Sequence, residues 1–379
     1  MQDPKKGNRL IIAGDLFPTA ENVSYFLNGD IASLFGEEIV RLFEEADFSV
    51  CNLEGSLTDH SERFRKTGPV KVAPTAALEA YKKLGIKCCM LANNHSTDGG
   101  HQGMADTLHA LDAAGIGHIG AGLGSKSIGH TLIREIGDVR FGFYNVSETM
   151  YNKPAEDSAG AWLYDEYIVC RELEELKRGS DYLIVIYHGG IEKFPYPSPE
   201  MRKRFHRMAD CGADMVLAQH THCAGCEEMY EGSYLLYGQG DFLLKNFLPG
   251  MTDTGLLLEL DVVDGNVAFK KHWVRSVDNL FVRYDGQPYL LGFADRSEKV
   301  KDEAYVLSRF KDFCAGELRL YLTAFKNPSL LRRLQRKFFP RAYDKWLCGY
   351  SERNLLFTLH TLRSEQNRET AIVGLENKL

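Results

Sequence analysis

Asp15, Glu54, Asn94, His188, His220 and His222 are the residue types that a divalent-metal site draws on. They offer hard carboxylates, a neutral carbonyl oxygen and borderline imidazoles. Each follows an apolar run. Residues 10–13 lead into Gly14-Asp15, 48–53 into Glu54-Gly55, and 87–92 into Asn93-Asn94-His95. Residues 182–187 lead into His188-Gly189-Gly190, and 215–218 into Gln219-His220-Thr221-His222. A carboxylate behind a buried strand is costly unless a cation or hydrogen bonds offset its desolvation. His220 and His222 lie two apart, and extended backbone sends such residues to one side. Singly, each position has a plain structural reading: a cap or turn for Asp15, a turn for Glu54-Gly55, a helix cap for Asn93-Asn94-His95, a core histidine for His188. As an ordered series they read as one site.

Other residues could complete the chemistry. Glu192, four residues after His188, is a candidate base or could instead orient a ligand histidine. Lys71, Arg65 and Asn93 are candidate substrate contacts. Lys71, Arg65 and Lys66 precede the Ala73-Pro74 turn and read either as anion clamps or as plain surface cations.

Positioning these groups requires a sheet. Strand-like runs alternate with helical runs over the first two-thirds of the chain, which predicts an α/β fold. The helical runs 76–84, 104–114 and 199–211 close on Gly85, Gly115 and Gly212, a C-cap signal, and 173–177 belongs to another helix. Residues 141–146, 234–237 and 256–262 read as strands, the last turning at Asp264-Gly265 into a hairpin partner. In such folds ligands collect at the carboxyl ends of strands, so the polar clusters should converge on one sheet edge. From about Asn279 helical periodicity takes over, at 302–326 and 330–339, with Pro340 breaking the second. The expected division is 8–278 and a mainly helical extension, 279–379. The basic, aromatic stretch 331–341 reads as a solvated helix face, or as a docking surface for an anionic partner or a membrane interface.

The 379 residues carry a formal charge of −7, which gives no global reason to bind nucleic acid or an anionic membrane and leaves only local basic patches for either. Nine cysteines, scattered from Cys51 to Cys348, read as free thiols in a reducing compartment. Cys223-x-x-Cys226 has no second such pair, so a structural zinc there is disfavoured. The apolar run 10–13 is too short for a signal peptide or a membrane span. The chain as written reads as cytoplasmic, and as membrane-associated if an anchor was removed.

Several of these segments together resemble one family. They are Gly14-Asp15, Asn52-Leu53-Glu54, Leu91-Ala-Asn-Asn-His-Ser-Thr-Asp98, Gly120-Ala-Gly122, His188-Gly-Gly-Ile-Glu192, Gly212-Ala-Asp214, Gln219-His-Thr-His222 and Tyr237-Gly-Gln-Gly-Asp-Phe242. The series is similar to the CapA family of poly-γ-glutamate capsule biosynthesis proteins, over roughly residues 8–260. That family is related in fold to calcineurin-like metallophosphoesterases. The resemblance implies a four-layer αββα metallophosphatase-like sandwich with a C-terminal helical extension. It implies one or two divalent ions of Mn, Zn or Fe. Asp15 and His222 would bind the first, Asn94, His188 and His220 the second, and Glu54 would bridge; His95 would face the leaving group. Three positions depart from the pattern: Phe17 stands in a histidine slot, Gly189 in a tryptophan slot, and Asp241 where asparagine is common. These departures leave a one-metal site open.

The implied function is phosphoester hydrolysis by a metal-activated hydroxide in capsule or surface-polymer synthesis, whether of poly-γ-glutamate or polysaccharide. The substrate would be an anionic polymer or a phosphorylated small molecule. Alternatives are a γ-glutamyl amide hydrolase or transferase, or a non-catalytic scaffold for a membrane polymer synthase.

Overall fold

The computed structural model describes residues 8–66, 68–150, 152–244, 252–278, 280–285, 290–326, 328–349, 351–363, 372 and 375. Asn279, where the sequence boundary falls, and the charged start at 1–7 lie outside them.

Two sheets carry the fold. The larger has the strand order Phe281–Tyr284, Asn266–Val277, Thr254–Val263, Asn8–Leu16, Phe48–Leu53, Cys88–Met90 and Gly117–Ile119, and Asp241–Leu243 also pairs with Asn8–Leu16. The smaller has the order Glu227–Tyr230, Ser233–Leu236, Met215–Gln219, Tyr182–His188, Val139–Ser147 and Thr131–Ile136. The central strands run parallel in both: Asn8–Leu16 with Phe48–Leu53 and then Cys88–Met90, and Val139–Ser147 with Tyr182–His188 and then Met215–Gln219.

The apolar runs form interior strands because both of their faces are covered. Along the first strand the period-2 alternation divides the residues. Leu10 and Ile12 meet Phe141, Phe143, Ile184, Ile186 and Leu217 of the second sheet. Ile11 and Ala13 face the opposite way, toward Phe26, Phe35, Ile39, Tyr81, Met104 and Leu111 on helices. The far face of the second sheet carries helices Val169–Gly179 and Pro199–Asp210, with Phe205 against Tyr187 and Tyr237. Helix, sheet, sheet and helix layers follow in that order, the expected αββα architecture.

Local chemistry sets the element ends. Helices Leu78–Leu84 and Gly100–Ala114 end on Gly85 and Gly115 in the left-handed conformation, φ 93° and 69°. Ser198 caps helix Pro199–Asp210 by accepting from the Met201 amide at 3.2 Å. Strands Thr254–Val263 and Asn266–Val277 join through Asp264-Gly265, both with positive φ, as the hairpin signal predicts.

Three expectations need correction. The chain divides into compact units Met1–Leu307 and Ser308–Leu379, later than the 278/279 boundary. Strand Phe281–Tyr284 pairs with the large sheet, and helix Leu290–Lys299 is held by Phe293 on Trp273 and by Arg296 donating to the carbonyls of Ala224 and Gly225. Pro340 ends one helix but also opens another, Pro340–Cys348, at the first-turn position where its missing N–H costs nothing. Finally, Cys170 and Cys211 form a disulfide, Cα–Cα 5.1 Å, so not every thiol is free. The two helices pack side by side on one sheet face, and a separation of 41 residues conceals that. Among the described residues no helix is long and apolar enough to cross a membrane.

Gly14 explains how the first strand comes so close to the segment before Asp241. A Cβ on Gly14 would lie 2.3 Å from the Gly240 carbonyl oxygen. Gly14→Ala should therefore force two backbones apart and cost about 1–3 kcal/mol. Thermal denaturation reads this as a lowered midpoint, and an unchanged midpoint would contradict the packing.

Candidate metal centre

The carboxyl ends of the parallel strands in both sheets meet at one place. The first sheet delivers Asp15, Asn52 and Glu54; the second delivers His188 and the 219–222 segment. Asp15 and Asp241 are register partners on adjacent strands. The His-Thr-His segment is not extended as expected: His220 and His222 adopt positive φ, 86° and 54°. The two rings still meet, at 5.9 Å between centroids, because a tight turn brings them together. Left-handed backbone at two non-glycine residues costs free energy and persists only where the surroundings enforce it.

A hydrogen-bond chain fixes the groups. Asp15 Oδ1 accepts from Asn52 Nδ2 at 2.7 Å, and Oδ2 accepts from the His220 amide at 3.1 Å. Asn52 Nδ2 also lies 3.1 Å from His188 Nδ1, and His188 Nε2 lies 2.9 Å from Asn94 Oδ1. These contacts assign the His188 proton to Nε2. His222 Nδ1 sits 2.8 Å from Asp241 Oδ1 and 3.7 Å from Asp15 Oδ2. Glu54 Oε1 lies 3.7 Å from His188 Nε2 and 3.9 Å from His95 Nε2.

Some of these atoms lack partners. Among the described residues Glu54 Oε1, His220 Nδ1 and Asp241 Oδ2 are buried side-chain atoms with no hydrogen bond. A buried polar atom left unpaired is expensive, and a cation would satisfy such oxygens. Glu54, His220 and His222 offer ligand atoms within 4.8 Å of one another, and so do Asp15, His222 and Asp241. Oxygen and imidazole donors in these sets suit a divalent transition ion, so the residues fit such a group. His188 and Asn94 border the cluster but are bonded to each other.

The electrostatics reflect how deeply these charged groups are buried together. Burial, then Glu54 and Asp241, pushes the Asp15 carboxyl up to about 8. Burial opposes ionisation of Glu54 too, but Lys71, His222, His95 and His188 outweigh it and hold this carboxyl well below the usual range. Burial also works against the His222 cation, yet Asp241 and Glu54 raise it to about 9. Burial and the neighbouring His222 lower His220 to about 3, and burial with His220 drives His188 far down. Both are thus neutral imidazoles, the form that binds metal.

The remaining candidates are placed as follows. His95 Nδ1 is 2.6 Å from Asp98 Oδ2, which also accepts from the Lys71 amide at 2.6 Å. Lys66 pairs with Asp98 and lies 3.1 Å from His95 Nδ1. Lys71 Nζ is bound to Glu54 Oε2 at 2.6 Å, so in this state it orients a carboxylate; strand Val72–Ala73, paired with Ser56–Leu57 beside Glu54, sets that reach. Asn93 is fully buried and committed within the fold, donating to Asn52 Oδ1 and the Leu53 carbonyl and accepting from the His95 amide. It brackets the loop and presents nothing to a ligand. Arg65 is exposed. Glu192 is also exposed and does not touch His188, because the chain turns away at Gly190, φ 108°. The carboxylate behind that turn is Glu148, 3.3 Å from the Gly190 amide.

Asn52, Asp98 and Asp241 were not given roles by sequence. Asp98 had a signal, three residues past His95 in the same segment. Asp241 had one too, behind the strand Ser233–Leu236. Asn52 had one as a polar residue inside an apolar run, within the Asn52-Leu53-Glu54 segment. Cys223 and Cys226 are buried, and burial lifts the Cys223 thiol to about 12.

Two outcomes are expected. Asp15 and His222 both titrate above their ordinary values, so below about pH 8 and 9 a metal must displace their protons. Metal affinity should rise with pH over that window. Calorimetry in buffers of different ionisation enthalpy should record proton release near neutrality, and no release would contradict the assignment. Asp241→Asn keeps the size and one hydrogen bond to His222 but removes a charge. It should weaken metal binding by about tenfold or more; equal affinity would remove Asp241 from the donor set.

The family model described as "Bacterial capsule synthesis protein PGA_cap" matches residues 9–246. The chain is 24% identical over 221 residues to the PGA biosynthesis protein CapA of Bacillus subtilis (strain 168), covering 57% of this chain and 58% of that protein. It is 32% identical over 223 residues to a probable polyglutamine synthesis accessory protein of Mycobacterium tuberculosis (strain ATCC 25618 / H37Rv), covering 54% and 58%. The match thus spans somewhat over half the length of these relatives. Among solved structures, a hypothetical protein from Thermus thermophilus aligns with a TM-score of 0.45 at 14% identity, covering 71% of this chain and 100% of that one. A 5'-nucleotidase precursor from the same organism aligns with a TM-score of 0.41 at 13% identity, covering 81% and 59%. With its family match running through every donor of the centre, from Asp15 to Asp241, this chain belongs to the bacterial capsule synthesis protein PGA_cap family.

Proposed function

We propose that this chain is a divalent-metal-dependent phosphoester hydrolase working in capsule or surface-polymer biosynthesis. The observation that carries the reading is the trio of unpartnered buried atoms, Glu54 Oε1, His220 Nδ1 and Asp241 Oδ2, gathered among further donors. One ion would be held by Asp15, Asp241 and His222 or by Glu54, His220 and His222, two sets that share His222, with Asn94 and His188 alongside; Mn, Zn and Fe match the donors. An ion bound there supplies Lewis acidity and acidifies a water molecule.

The protein's own groups do the rest. The short contact with Asp98 fixes the His95 ring through Nδ1, leaving Nε2 on the Glu54 side of the centre. Nε2 is then the atom that gives a proton to the departing oxygen. Burial lowers the His95 pKa, which makes its imidazolium the stronger acid. Asp98 steadies the charge that forms. Lys71 holds Glu54 by one oxygen and leaves the other directed inward. It is also the cation an anionic substrate meets. An anionic polymer or its phosphorylated precursor suits that charge, and two relatives bear the names "PGA biosynthesis protein CapA" and "Probable polyglutamine synthesis accessory protein".

The test is a metal analysis of protein purified without chelator, followed by assays on activated phosphomono- and diesters and on γ-glutamyl oligomers with Mn, Zn or Fe added. Metal-stimulated phosphoester turnover is expected. His95→Ala should lower kcat by about 10²–10⁴ while retaining metal. Absence of bound transition metal together with absence of metal-stimulated turnover would overturn the reading, and turnover of γ-glutamyl oligomers alone would replace it with amide chemistry.

A further inference from the structure

The second compact unit contains a helix that buries nothing. In Leu330–Phe338 no residue is buried, whereas the small core of the unit is made by Leu322, Tyr343 and Leu347 with Trp346 against them. At 100° per residue, Leu330, Leu334 and Phe338 fall in one row with Leu331 beside it. Arg332 and Arg336 fall on the opposite arc, Arg333 lies to one side, and Lys337 borders the row beside Leu330. The apolar row is open: Leu330 is 74% exposed, Leu331 79%, Phe338 63%, and the next residue, Phe339, 67%. The polar arc is the side with partners, since the Arg332 guanidinium lies 4.9 Å from the Trp346 ring centroid and Arg333 Nε donates to the Pro328 carbonyl at 3.2 Å.

Charge narrows what can cover this helix. From Lys326 to Arg341 there are six basic residues and no acidic one, in a chain whose formal charge is −7. A free polyanion would match the arginines but leave leucine and phenylalanine in water. A second copy would bring its own basic row against this one. An anionic lipid surface answers both faces: acyl chains accept the apolar row, and headgroups meet the cations at its margins. We propose that helix Leu330–Phe338 with Phe339 is a peripheral docking element for an anionic membrane surface. It lies in the interface plane, with the apolar row in the acyl boundary.

The test uses the full chain in vesicle flotation, with neutral phosphatidylcholine vesicles and with vesicles containing anionic phosphatidylglycerol. Binding to the anionic vesicles alone, weakened by added salt, is expected. Leu331→Asp with Phe338→Asp should lower binding by about tenfold or more, and so should Arg336→Glu with Lys337→Glu. These side chains are exposed or partly exposed, so the thermal midpoint and metal content should stay unchanged in both variants. No binding to anionic vesicles, or equal binding to neutral ones, would overturn the proposal. So would concentration-dependent dimerisation, abolished by Leu331→Asp and Phe338→Asp, without vesicle binding; that result would seat a second copy on the helix.

Discussion

Three carboxylates, Asp15, Glu54 and Asp241, are buried around His222 at the seam of two sheets, each within 4.8 Å of a donor atom of that ring. Like charges gathered there, removed from water, oppose the folded state. The surrounding structure answers this constraint. Lys71 is drawn onto Glu54, a proton is drawn onto Asp15, and His222 is held as a cation between Asp15 and Asp241. None of these fully discharges the cluster, since Glu54 and Asp241 each keep an oxygen without a partner. A divalent ion is the simplest group that would.

The same seam explains why the histidines stand where they do. The contacts from Asn94 through His188 and Asn52 to Asp15, and on to the His220 amide, cross from one sheet to the other. Each link fixes a ring or an oxygen before any ligand arrives. Such preorganisation lets a metal bind without first ordering its ligands. It also gives the strained backbone at His220 and His222 a reason to persist, because the amide of one and the ring of the other are both anchored on Asp15. Beneath the centre, Gln219 donates to the Ala13 carbonyl and to Gln239, tying the floor of one sheet to the other.

Much of this was legible in the sequence, for identifiable reasons. Interior strands announce themselves as apolar runs, and the residue behind each run must lie at a strand end, so Asp15, Glu54, His188 and the 219–222 segment could be gathered before any coordinates. Contacts set by packing could not be read that way. The left-handed turn at His220 has no glycine to mark it. Lys71 reaches Glu54 only because a two-residue strand pairs beside it. Glu192 looked well spaced from His188 on a count of residues, but the turn at Gly190 sends it outward. Cys170 meets Cys211 through helix neighbourhood, which carries no local signal.

Phe17 has a consequence of its own. Its ring is 2% exposed and sits where a Cβ on Gly55 would fall, 2.3 Å from the ring edge, so the residue behind Glu54 has no room for a side chain. What stays open on the site side chains is a sliver of Lys71, 17% exposed, and of His222, 14%. The acidic interior therefore lies beneath a narrow cationic lip. Both of these side chains are bases already paired with a buried carboxylate, Lys71 with Glu54 and His222 with Asp241, so solvent meets the counter-ions of the site and hardly its acids.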